Sequence, residues 1–96
     1  MRQNAYWMKK EDDRILEILK EETWSSPKLI ASRPSIDISE GHIRERLMFL
    51  WYAGLVYQIW DDGYEITSEG LRYLDGQLDA SHQPWPTVDR VLRGRG

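Results

Sequence analysis

The stretch from Ser39 to Gly54, SEGHIRERLMFLWYAG, constrains this chain most. It reads as one helix of about four turns, and it carries the densest cluster of bulky apolar residues in the sequence. Ser39 is a good N-cap, because its hydroxyl can accept a bond from an otherwise unpaired N–H of the first turn. Gly54 is a good stop, because it tolerates the left-handed conformation just past a helix end. Between them Ile43, Leu47, Leu50 and Gly54 follow the spacing of a buried stripe. Gly41, His42, Glu45, Met48, Phe49 and Tyr52 then fall on the far side, and Arg44 and Arg46 flank the stripe. A helix that buries one face and offers the other suggests a recognition element.

The rest of the chain gives that helix a setting. Glu11 to Glu22 is predicted as a helix, with Ile15, Leu16, Ile18 and Leu19 on its apolar face. Glu11, Asp12 and Asp13 crowd its first turn, where the helix dipole favours negative charge, so they read as helix stabilisers. Thr23-Trp24-Ser25 is a connector. Ser26-Pro27 opens a short helix, a serine cap followed by proline at the first helical position, and it ends before Arg33-Pro34. A helix, a short capped helix, a turn and a longer helix is the helix-turn-helix order.

After Gly54 the hydrophobic period changes from a helix to a strand. Asp62-Gly63 predicts a tight hairpin with those two residues at its centre, which sets Ile59 opposite Ile66 and Asp61 opposite Tyr64. Thr67 caps a last helix over Ser68 to about Leu78, with Leu71, Leu74 and Leu78 at core spacing. The fold class is therefore α+β, mostly helical: three helices, a two-stranded hairpin and a further helix. Residues 1–80 form one domain. Residues 81–96 form a basic tail, read as irregular or disordered, in which Val88, Val91 and Leu92 could make one docking turn.

Composition closes off several functions. The 96 residues include no cysteine, which removes disulfides and thiol chemistry. His42 and His82 have no partner at ligand spacing, so no metal, cofactor or catalytic residue is expected, and the chain does not read as an enzyme. No apolar run is long enough for a signal peptide or membrane helix, which points to a cytoplasmic protein. Net charge is −3, but residues 1–79 carry ten Lys/Arg against fifteen Asp/Glu and residues 80–96 three against one. The basic end could serve as a phosphate-binding arm. Arginines outnumber lysines nine to four, a weak sign of the acidic, lysine-poor surfaces of salt-loving organisms.

The segment AGLVYQIWDDGYEITSEGLRYLDGQLDA resembles the hairpin-to-last-helix part of winged helix-turn-helix proteins. With the opening MRQNAYWMKKEDDRILEIL, residues 1–80 resemble a family of small winged helix-turn-helix proteins of halophilic archaea, similar to a haloarchaeal phage repressor. The resemblance implies a DNA-binding transcriptional regulator, without cofactor and often a homodimer. The recognition helix, residues 39–53, then enters the major groove of double-stranded DNA. Arg44 is the candidate for a guanine edge, and His42 and Glu45 can read bases. Ser39, Gly41 and Met48 complete the contact face, while Lys28 and Arg33 hold phosphate. Three features depart from the family: an acidic wing tip, Asp61-Asp62, a recognition helix poor in cations, and Lys9 where a better helix cap is usual. They keep a second reading open. In it the winged helix is a protein-interaction module that uses Phe49, Tyr52 and Trp60 beside Met48.

Overall fold

Three helices build the first half of the chain: α1 (Lys10–Glu21), α2 (Pro27–Ala31) and α3 (Glu40–Tyr52). The second half holds strands β1 (Val56–Trp60) and β2 (Gly63–Ile66), then α4 (Ser68–Leu74), a 3-10 turn at Ala80–His82, and α5 (Val88–Arg93). The computed structural model describes residues 1–94; Arg95 and Gly96, the last two residues of the basic tail, lie outside the described residues. Among the described residues no helix is long and apolar enough to cross a membrane.

The limits of α3 follow from its ends. Ser39 Oγ accepts the His42 N–H at 3.1 Å, and Gly54 takes φ +82° just past the helix. The Ser26 cap of α2 and the Thr67 cap of α4 work the same way, accepting from Leu29 N and Gly70 N. Ile15, Leu16 and Leu19 of α1 meet Ile30 of α2, Ile43, Leu47 and Leu50 of α3, Leu55 and Val56 around β1, and Tyr73 of α4 in one core. Trp7 and Met8 pack against this core. Tyr6 points outward, its ring edge-on to Trp85 at 5.1 Å.

Three expectations need correction. The hairpin turns at Asp61-Asp62, with Trp60 opposite Gly63 and Val56 opposite Ile66, and an irregularity between Gln58 and Trp60. The reason is Trp60. Its indole lies on Gly63, where a Cβ would come within 2.4 Å of the ring, so the glycine is needed in the strand and not in the turn. The helix α4 stops at Leu74, since the chain turns left-handed at Gly76 (φ +76°). Leu71 is exposed, and Tyr73 and Leu74 are the core side chains of that helix. The tail is not irregular throughout: Thr87 caps a helical turn and a half, α5, by accepting the Arg90 N–H at 3.1 Å.

The connector after α1 has a role of its own. Ser25 exchanges two backbone bonds with Tyr64, at 3.0 and 2.9 Å, and so covers the outer edge of β2. At the other end of the molecule, Gln3 bridges Asp79, and Arg2 donates to the Leu74 carbonyl at 3.0 Å.

Candidate nucleic-acid interface

The helix α3 is oriented from behind by a buried charge pair. Arg46 donates through Nε and Nη2 to both oxygens of Asp12, each at 2.8 Å, and both side chains are almost fully buried. Asp12 also accepts the Lys9 backbone N–H at 2.9 Å, which closes the start of α1. One carboxylate thus caps α1 and anchors α3. The guanidinium lies 4.8 Å from the Phe49 ring centre, within cation–π range. The sequence marks Asp12 as a helix-stabilising first-turn acid; its ion-pair partner lies 34 positions away.

On the outward side, Ser39 is spent on the cap, and Gly41 is exposed with open space above its Cα. His42 meets Glu11 at 2.9 Å. That bond, with the helix's own backbone behind it, holds the Glu11 carboxyl below the usual carboxylate range. Arg44 Nη2 reaches both oxygens of Asp62 at 3.2 Å and Glu40 at 3.5 Å, so the wing tip closes onto α3. Arg33 is held by Glu21 and Glu22 at 3.0 and 3.1 Å. Lys28 and Glu45 are exposed, and neither makes an ion pair among the described residues. Met48 and Phe49 are half-buried, facing Val88, Val91 and Leu92 of α5 across a shallow apolar groove. Tyr52 is half-buried. Trp60 does not join that face; it packs edge-on against Trp24 at 4.7 Å.

The cations expected at DNA are thus mostly neutralised by carboxylates at exposed positions. Exposed pairs are worth only about 0–1 kcal/mol, so a phosphate can replace the carboxylate at little cost. Two further cations flank this face. Lys10 and Arg14, one turn apart on α1, line a depression with Ser35, Ile36, Asp37 and Ile38 beside Glu11. Their i, i+4 spacing was visible in the sequence, but only the fold brings the turn before α3 beside them. No group of three or more His, Cys, Asp or Glu among the described residues could hold a metal ion.

An N-terminal helix, a short capped helix, a turn, an anchored outward-facing helix and a two-stranded wing edged by a third segment make up the winged helix-turn-helix. Residues 1–83 match the family described as the winged helix-turn-helix phage repressor. The chain belongs to the winged helix-turn-helix phage repressor family. A crystal structure of the PhiH1 repressor-like protein from Haloarcula marismortui is similar to this family member at 41% identity. The match covers 90% of this chain and 98% of that one, with a TM-score of 0.84. No curated protein matches. The haloarchaeal repressor-like resemblance read from the two sequence motifs is therefore borne out, as is the winged helix-turn-helix fold. The helix α5 lies beyond the residues that match the family.

Proposed function

We propose that this winged helix-turn-helix protein is a cytoplasmic, sequence-specific DNA-binding transcriptional regulator of the repressor type. The observation that carries the proposal is α3 itself. Its inner face is locked to the core and to Asp12, while its N-terminal half projects Gly41, His42, Arg44 and Glu45 outward. A helix so held fits the major groove, with Arg44 on a guanine edge and His42 or Glu45 on neighbouring bases. Lys28 and Arg33 of the α2 region, with Lys10 and Arg14 of α1, then bind phosphate and fix register. The protein acts as a homodimer on two half-sites, which matches the two-fold symmetry of most such operators.

The test is a titration onto DNA from upstream of its own coding sequence and onto scrambled DNA, at several salt concentrations. Preference for the upstream fragment, with affinity falling as salt rises, is the expected result. Equal binding to both would leave a non-specific binder. No binding to either, down to low salt with the fold intact, would overturn the proposal.

A second reading is favoured by one observation: the outer face of α3 is apolar enough at Met48 and Phe49 to hold α5. In that reading the face takes a protein partner and DNA contributes little.

A further inference from the structure

The helix α5 sits where DNA would have to go. On the helical wheel, Gly41, Glu45 and Met48 lie opposite the buried stripe of Ile43, Leu47 and Leu50, and Arg44 flanks it. These are four of the residues assigned to DNA, and α5 faces all four across its groove. A major groove is about 12 Å wide and admits one helix, itself about 10–12 Å across with its side chains. Two packed helices have axes about 8–10 Å apart, so the α3–α5 pair is roughly 20 Å wide and does not enter.

The cover is lightly held. Of its residues only Val91 is buried, at 6% exposed, while Val88 and Leu92 remain 65% and 76% exposed. Six residues make a helix that is marginal without tertiary support. The chain just before it is pinned: Pro86 is buried, Trp85 Nε1 donates to the Ser81 carbonyl at 2.7 Å, and Tyr6 packs against the Trp85 ring. A hinge after Pro86 therefore frees α5 and leaves the domain intact. Among the described residues, the hydrogen bond from Arg90 to the Trp85 carbonyl, 2.9 Å, is a polar contact that opening breaks.

We propose that α5 is a displaceable cover on α3: docked, it closes the reading face, and DNA is taken only when it leaves. This rests on the DNA-binding reading of α3 and adds a built-in competitor to it. Apparent affinity is then the intrinsic affinity reduced by the fraction of molecules that are open.

The experiment compares full-length Val91→Ser with a Phe49→Cys/Val91→Cys variant joined by a short reducible crosslinker across the groove. The chain has no cysteine of its own to interfere. Both are titrated onto the upstream fragment and onto a random-sequence duplex, with circular dichroism to show that each is folded. Val91→Ser should bind about tenfold more tightly, the factor expected when a cover is closed nine-tenths of the time. The crosslinked variant should lose binding and regain it on reduction. Equal binding by its crosslinked and reduced forms overturns the cover while leaving α3 as a DNA reader. Weaker binding by Val91→Ser also overturns it, since α5 would then be part of the interface. If neither variant nor the parent chain binds either duplex while folded, the DNA-binding reading itself fails, and the cover with it.

Discussion

Arg46 and Asp12 are joined by two 2.8 Å hydrogen bonds at a point that solvent barely reaches, so the start of α1 and the middle of α3 move as one body. Two ions at such a site are stable only together. Asp12→Ala or Arg46→Ala should each destabilise the fold by about 3–5 kcal/mol, because the partner is left charged and unpaired. Asp12→Leu with Arg46→Met should recover much of the loss. Urea unfolding of the four proteins measures this; a double variant no better than the singles would show that packing, and not stranded charge, sets the cost.

The pairing of Arg44 with Asp62 predicts a gain of function. Asp62→Asn removes a negative charge from the wing tip and frees the guanidinium. DNA affinity should rise, most of all on the operator, where the freed guanidinium meets a guanine edge, and loss of the wing carboxylate's repulsion should steepen the slope of log affinity against log salt. Unchanged affinity and slope would mean that Arg44 does not face DNA.

Lys28 and Arg44 should separate when each is replaced by Ala. Loss of an exposed lysine from a phosphate weakens binding on every sequence and flattens the salt slope by about one. Loss of Arg44 costs about 1–3 kcal/mol on the operator and little on other DNA. Competition titrations with both duplexes distinguish the two patterns.

Gly70→Ala should destabilise, although Gly→Ala inside a helix usually stabilises by up to about 1 kcal/mol. The new Cβ would come within 2.3 Å of the Leu55 carbonyl oxygen and 2.6 Å of Ile66 Cγ1. That carbonyl also accepts the Thr67 N–H at 3.1 Å, so it cannot swing away freely. A net loss of about 1–3 kcal/mol is expected, as for other overpacked sites, and thermal unfolding reads it directly.

Alkaline pH should unfold the protein through Tyr73. Its hydroxyl is buried and donates to Asp13 at 2.6 Å; burial first, and the carboxylate second, push its ionisation well above the ordinary tyrosine range. The folded chain therefore holds this proton more tightly than the unfolded chain does. The contribution is complete below the unfolded value of about 10 and is lost as pH rises beyond it. Absorbance of the phenolate should show Tyr73 ionising together with loss of the circular dichroism signal. Tyr73→Phe should move that transition to higher pH.

What could be read in advance was local. The limits of α3, the proline start of α2 and the Thr67 cap were legible because each depends on residues within one turn of one another. The hairpin register was not, because Asp-Gly is a good turn only if no neighbour needs the glycine, and the Trp60 indole does. The Ser25–Tyr64 pairing was too short to leave a pattern. The candidate site divides in the same way. The outward face of α3 followed from its period. The partners of its charged residues come from 18, 31 and 34 positions away and were visible only in the fold. The tail reads as irregular from its prolines and glycines apart from one docking turn at Val88, Val91 and Leu92, and it is that turn, capped by Thr87, that forms α5.

The bridge between Gln3 and Asp79 sets a schedule for the ribosome. Arg2 can already pair with Asp13 and Glu17 of α1, but its bond to the Leu74 carbonyl and the contacts of Gln3 with Gly76, Asp79 and Ala80 wait until Leu74 to Ala80 have been translated. At about 5–20 residues per second, that delay is on the order of 4–15 s. Until then the nascent chain exposes the apolar faces of α1 and α3, and closure of the domain follows the emergence of nearly the whole of it.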